Sequence, residues 1–304
     1  MIKVCFLSWH YQTPKIFLDT LLKMTPGRSG WWKDMQAVLD PFEADYCIIF
    51  DGYSGKFPED RAIYFGQHPD CLKSFRRWEE KKALAKYPLD KFLNPGEWWL
   101  SYDYDYLSNL KIPTKEKQLA CIITYQTHNS MYAARLKFVG ELAKHLSFDL
   151  YGRPEEKFKA DINFSNHYRG SLGYAKPDGT KGEHLVGKEI LSNYKYSLEI
   201  DVGPTKNYFS ERFYDALLLW TMPIYWGSNN VDKFVPKEAF HYFNLENNSV
   251  SEMGRIKEIV NSGSYEKSLS AIEYARYILL NRYQIWPYVY NVVKRLCPPT
   301  ANVV

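Results

Sequence analysis

Glu211 and Arg212 stand side by side in KNYFSERFYDALLLWTMPIYWGSNN, residues 206 to 230. Ser210 just before them is a favourable N-cap, and Phe213, Ala216, Leu217 and Trp220 recur at helical spacing. Thr221-Met222-Pro223 stops that helix. The acid–base pair therefore falls in the first turn, where backbone N–H groups are unpaired and the dipole end is positive. A carboxylate suits that place. A cation costs roughly 0.3–1 kcal/mol there. An anion bound at the helix end reverses the sign, whereas an arginine turned to solvent simply bears the cost. Residues i and i+1 diverge on a helix, so an internal ion pair does not account for the pairing.

Arg135 repeats the anomaly in weaker form. It lies early in a helical stretch, 130–146, that follows the apolar run LACIIT (119–124) and the polar loop YQTHNS. Two arginines, each near the start of a helix that follows a sheet strand, predict convergence on one diphosphate. That is a nucleotide-diphosphate site in the C-terminal half of the chain.

The elements that must carry these residues alternate. IKVCFLS (2–8), DYCIIFD (45–51) and AIYFG (62–66) read as strands, separated by helix-like pieces at 14–23 and 31–39. A short helix follows near 102–110, then a charged linker at 113–118. A second alternation holds strands at 119–124, 148–152, 195–200, 223–227 and 240–245 and helices at 130–146, 250–261 and 265–283. Pro287 breaks the pattern before a last helix near 288–297. Alternation of this kind predicts an α/β chain with parallel sheets covered by helices. The expected domains are 1–115, 116–285, and a C-terminal helix in 286–304 that packs back on the first. In such sheets ligands sit outside the carboxyl ends of the strands. Residues 153–185 are polar, rich in Gly and Pro, and without a clear period; they read as a mobile lid or as surface decoration.

Composition narrows the class. The 304 residues carry a net charge of only +4, with both signs spread along the chain, which argues against a nucleic-acid or membrane-surface partner. Aromatic residues reach 17%, enough for aromatic-rich cores or for rings that stack on sugars and bases. Cys5, Cys47, Cys71, Cys121 and Cys297 are scattered and match no zinc spacing, so they read as reduced thiols of a cytoplasmic protein. No apolar run reaches about 18 residues, and no membrane span is expected.

The motifs YFSER, PIYWGS and KFVPKEAF resemble glycosyltransferase family 10, the α-1,3/4-fucosyltransferases. FDLYGR (148–153) and YKYSLEI (194–200) are similar to further motifs of that family, in the same order, over about 119–245. IYFGQHPD (63–70) and WWLSYDYDYL (98–107) match more loosely. The resemblance implies a GT-B architecture of two facing Rossmann-like domains, acceptor side first and donor side second. It implies inverting transfer of a sugar, by default fucose from GDP-fucose, to a hydroxyl of a glycan or glycoconjugate, with no essential divalent metal. Carried over residue by residue, it makes Arg135 and Arg212 the diphosphate cations and gives Glu211 hydroxyls of the donor sugar or ribose. Tyr208 falls beside the nucleotide. Glu199, Asp201, Ser210 and Arg153 complete the candidate donor-binding set. Charge grows on the departing diphosphate during displacement, so fixed cations there stabilise the transition state more than the ground state.

Three departures matter. The family's nucleotide-holding asparagine is absent or replaced by Asp201, and Arg212 replaces a lysine, which exchanges a point charge for a bidentate fork. This leaves other donors open, such as UDP-xylose or another GDP-deoxysugar. The general base is the third. The loop after the third strand reads Gly66-Gln67-His68-Pro69-Asp70. Gln67 cannot take up a proton; His68 or Asp70 can, and His10 lies at the same sheet edge without matching a motif. Without a base, the chain would bind a nucleotide or glycan and not turn it over.

Overall fold

The computed structural model describes residues 1–67, 81–172, 187–247 and 250–296. His68, Asp70, Cys71 and Cys297, and residues 173–185 of the expected lid, lie outside the described residues. The chain divides into two compact units. One holds the described residues of Met1–Glu97 and Tyr102–Asn109 together with those from Leu279 onward; the other holds Trp98–Ser101 and Leu110–Ile278.

In the first unit, β1 (Ile2–Ser8), β2 (Trp31–Trp32), β3 (Met35–Ala37), β4 (Tyr46–Phe50), β5 (Ala62–Phe65) and β6 (Ala85–Tyr87) form a sheet in the order β2-β3-β1-β4-β5-β6. All neighbours are parallel except β2 and β3. Helix α1 (Pro14–Leu22) starts at the Thr13 cap, with Pro14 at a position where the missing N–H costs nothing. The helix expected at 31–39 is instead a tight antiparallel pair, Trp31↔Gln36 and Trp32↔Met35, turning through Lys33 at φ 56°. The apolar spacing of Trp31, Trp32, Met35 and Val38 is compatible with a helix, but Met35 pairs with Ile2 and extends the sheet. Tertiary pairing overrides a local pattern this short. Phe6, Phe17, Phe50 and Phe65 interlock as an aromatic core, and Trp286 lies 4.9 Å from the Phe6 ring.

A short helix α2 (Tyr104–Asn109) completes this part of the chain. The second unit then runs through β7 (Lys117–Thr124), α3 (Ser130–Ala143), β8 (Asp149–Arg153), α4 (Glu155–Ala160), β9 (Tyr168–Gly170), β10 (Tyr194–Ile200), α5 (Glu211–Leu218), β11 (Met222–Trp226) and β12 (His241–Tyr242). Its sheet is parallel throughout, in the order β12-β11-β10-β7-β8-β9. The α/β class and two parallel-sheet units are therefore as the alternation predicts. The stretch read as period-free, 153–185, contains α4 and the edge strand β9 in its described part. Lys115, in the expected linker, is not a solvated residue: its Nζ donates to the Leu219 carbonyl at 2.9 Å and to Thr221 Oγ1 at 3.0 Å.

Helices α6 (Val250–Asn261), α7 (Ser264–Lys267) and α8 (Leu269–Ile278) follow; the stretch 265–283, read from its spacing as one helix, breaks at Ser268 between α7 and α8 and closes in a π turn at Leu279–Tyr283. Helix α9 (Ile285–Leu296) contains Pro287 in its first turn, where no intrahelical N–H bond is lost. Pro287 therefore begins this helix and does not interrupt it. Among the described residues no helix is long and apolar enough to cross a membrane.

Candidate active site

The strand order of the second unit reverses between β7 and β10: from β7 the chain moves out through β8 and β9, then returns to β10 on the other side and continues to β11 and β12. The crevice at the carboxyl ends of β7 and β10 is the topological switch point of the sheet, where ligands of such folds bind. Both arginines singled out by the sequence are there. Arg135, on α3, donates from Nη1 to the carbonyl of Ile200, the last residue of β10, at 3.4 Å. Arg212, on α5, donates from Nη1 to the carbonyl of Ile122 on β7 at 2.7 Å. Their charges interact: burial and, after it, the charge of Arg212 bring the Arg135 guanidinium down to about 10, while Asp201 opposes the fall.

Arg135 is only 3% exposed, and its ring-facing guanidinium carbon lies 4.9 Å from the Tyr132 centroid. Its Nε is the one buried side-chain nitrogen or oxygen among the described residues that has no hydrogen-bond partner. A buried donor left this way forfeits about 1–3 kcal/mol, more for a charged group.

Four hydrogen bonds fix the first turn of α5. The Ser210 hydroxyl accepts from the Arg212 N–H at 3.3 Å and donates to Asp201 Oδ1 at 2.5 Å. Tyr225 donates from Oη to Asp201 Oδ2 at 2.7 Å and accepts the Ser228 N–H at 2.8 Å. Asp201 thus ties the end of β10 to the cap of α5 and to β11, with both oxygens engaged inside the protein. Gly227 is required beside this knot, because a Cβ there would stand 2.2 Å from Tyr225 Oη and 2.7 Å from Asp201 Oδ2. Burial raises the Asp201 carboxyl, and the Ser210 and Tyr225 bonds pull it back.

Glu211 does not merely face the helix dipole. Its Oε1 lies 3.3 Å from Lys188 Nζ and 3.9 Å from Arg212 Nε, so a loose contact between adjacent residues does form, contrary to the i, i+1 argument. The arginine turns back toward its neighbour because its other end is pinned to Ile122. Burial works against the Glu211 charge, but Lys188 and Arg212 prevail and hold the carboxyl below its ordinary value. Glu199, fully enclosed on β10, accepts from the Ser197 hydroxyl; burial pushes its carboxyl up to about 7 against the pull of Arg212. Cys121 on β7 is surrounded by the same charges, and burial pushes its thiol up to about 12.

Tyr208 is half-buried two residues before the cap. Arg153 ends β8, on the far side of β7 from β10. In the first unit, the Gln67 N–H donates to Asp51 Oδ1 at 2.8 Å and its Nε2 to the Pro95 carbonyl at 2.9 Å, so Gln67 itself is fixed just beyond the carboxyl end of β5. His10 is exposed, its ring 4.0 Å from that of Trp9. Among the described residues, no three His, Cys, Asp or Glu side chains gather as a metal site.

Lys188 and Asp215 escaped the sequence reading. Asp215 was visible as a carboxylate amid Phe213, Tyr214, Ala216 and Leu217, a pattern that calls for a buried cation. Nothing local marks Lys188 as that cation.

Residues 112–255 match the family model described as glycosyltransferase family 10 (fucosyltransferase) C-term, which bears out the motif resemblance. It contains Arg135, Lys188, Glu199, Asp201, Glu211 and Arg212. Alpha-(1,3)-fucosyltransferase B of Drosophila melanogaster is 25% identical over 184 residues, 60% of this chain and 39% of that protein. A 4-galactosyl-N-acetylglucosaminide 3-alpha-L-fucosyltransferase FUT6 of Pongo pygmaeus is 26% identical over 134 residues, 43% of this chain and 30% of that protein. The aligned part of the chain thus spans well under half of these curated relatives. Among solved structures, an alpha1,3-fucosyltransferase aligns over 93% of this chain and 92% of its own, with 15% identity and a TM-score of 0.48.

Proposed function

We propose that this chain is an inverting glycosyltransferase that moves a sugar, fucose from GDP-fucose as the default, from a nucleotide diphosphate to a glycan hydroxyl. The observation that carries the reading is Arg135: a buried guanidinium with an unpartnered Nε, beside Arg212, at the switch point of a parallel sheet. Two like charges held together in a dry crevice are costly, and a diphosphate offsets that cost. The family match over 112–255 supports the same donor class. Arg135 and Arg212 would neutralise the leaving diphosphate, Glu211 would hold a donor hydroxyl, and charge supplied by arginines leaves no essential task for a divalent metal. Base catalysis falls to His68 or Asp70.

Titration with GDP tests this. Wild-type protein binds it, and Arg135→Met, which keeps the volume and removes the charge, weakens binding by about tenfold to a hundredfold. Equal affinity in the variant, or no binding of any nucleoside diphosphate by the wild type, overturns the reading. The anomeric configuration of the product, read by NMR, decides inversion, and activity in EDTA decides the metal. A second reading concerns the donor. Asp201, near the place of the family's asparagine, spends both oxygens on Ser210 and Tyr225 and so favours a base or sugar other than those of GDP-fucose. A thermal-shift panel of nucleotide sugars separates the two.

A further inference from the structure

Lys188 opens a 3-10 turn, Lys188–Asn193, that leads into β10, and it is 2% exposed. Its Nζ lies 2.7 Å from Asp215 Oδ2, 3.3 Å from Glu211 Oε1, and 5.0 Å from the centroid of the Trp99 ring. Asp215 Oδ1 in turn accepts the Trp99 backbone N–H at 2.8 Å. Glu211 and Asp215 are four residues apart on α5, so both carboxylates point from one face of the helix. Unpaired, two carboxylates so placed repel each other in a site from which water is excluded. A buried lysine between two acids returns little net stability, because its desolvation consumes most of the Coulomb gain. What such an arrangement does supply is geometry: Glu211 Oε1 is gripped by Lys188 on one side and approached by Arg212 on the other.

We propose that Lys188 is a positioning residue for the transfer reaction: held by Asp215 and Trp99, it keeps the Glu211 carboxylate fixed to receive a donor hydroxyl. The role rests on the reading under Proposed function. Lys188 acts through Glu211 and touches no reacting atom. Asp215 is its anchor.

The test compares wild type, Lys188→Arg, Lys188→Met, and the double variant Lys188→Met with Asp215→Asn, which removes the stranded acid together with its cation. Thermal melting, donor KM, kcat and the pH profile of kcat/KM are measured for each. Lys188→Met lowers kcat/KM for the donor by about tenfold or more, because Glu211 is left without its nearest cation. Its acidic limb moves up by about one pH unit or more for the same reason. Lys188→Arg, which keeps the charge, recovers most of the rate and the original limb. The double variant melts close to wild type and keeps both the lost rate and the moved limb. A double variant, or a folded Lys188→Met, with wild-type kcat/KM and an unmoved limb overturns the proposal and reduces Lys188 to a structural ion pair. If neither methionine variant folds, the neutral pair Lys188→Gln with Asp215→Asn takes their place: a lowered kcat/KM with a raised acidic limb supports the role, and wild-type kcat/KM with an unmoved limb overturns it. A wild-type chain that turns over no nucleotide sugar removes the underlying reading and this role with it; an active wild type with indifferent variants removes the role alone.

Discussion

At the scale of single residues, the site is a count of buried charge. Arg135, Lys188 and Arg212 face Glu199, Asp201, Glu211 and Asp215, and the environment sorts the acids. Glu211 is held below its ordinary value by Lys188 and Arg212, while burial lifts Asp215 to about 6 and Glu199 to about 7. For Glu199 the consequence has a definite sign. Its folded value lies above the ordinary 4.5, so the native state prefers the neutral acid. The stability from that preference is present below the ordinary value, is lost as pH rises, and is gone above about 7. Glu199→Gln mimics the neutral acid. It should raise stability by up to about 2–3 kcal/mol near pH 8 and change little near pH 5. Melting curves at the two pH values check this, and an equal shift at both would show that the ionisation of Glu199 is not what the substitution relieves.

At the scale of elements, α5 is the part that the site is built on, and it is tied at both ends. Ser210 and Asp201 hold its first turn. Its last carbonyls receive Lys115 at Leu219 and Arg276 at Leu218, the end of the helix where cations belong. Much of this was legible: the Ser210 cap and the apolar stripe follow from residue types alone, although the helix ends at Leu218, before the expected Trp220, and Pro223 lies within β11. The far-end cations were not, because Lys115 and Arg276 come from segments 104 and 58 residues away. Gly227 tests the first turn. Gly227→Ala places a methyl group against Tyr225 and Asp201, and separating them should cost about 1–3 kcal/mol, since buried partners are left unpaired. Chemical denaturation reads the loss, and GDP affinity should fall with it, because the cap that aims Arg212 is disturbed. Unchanged stability and affinity would mean that the knot at Asp201 has room to give.

At the scale of the whole molecule, each unit is assembled from separated stretches of chain. The first unit takes α9 from the far end of the sequence: the Trp286 indole donates to the Leu21 carbonyl at 3.0 Å, and its ring meets Phe6. Trp286 is fully buried, so Trp286→Ala should cost about 3–5 kcal/mol in urea unfolding. A loss within 1 kcal/mol of zero would indicate that α9 is peripheral to that core. Segment Trp98–Ser101 belongs to the second unit in the same non-sequential way, through Trp99 to Asp215 and Ser101 to Glu189.

Period and punctuation were enough to determine the strand–helix alternation, the α/β class, the cap of α5 and the unusual placement of two arginines near helix starts. Each of these depends on neighbours within one or two turns, which the sequence displays directly. Only the folded chain decided that Trp31–Ala37 is a strand pair, that Asp201 spends itself on Ser210 and Tyr225, and that Lys188 is the cation between Glu211 and Asp215. Those outcomes turn on which groups share a crevice after water has left it. A buried charge takes the nearest opposite charge in space, and distance along the chain carries no record of that.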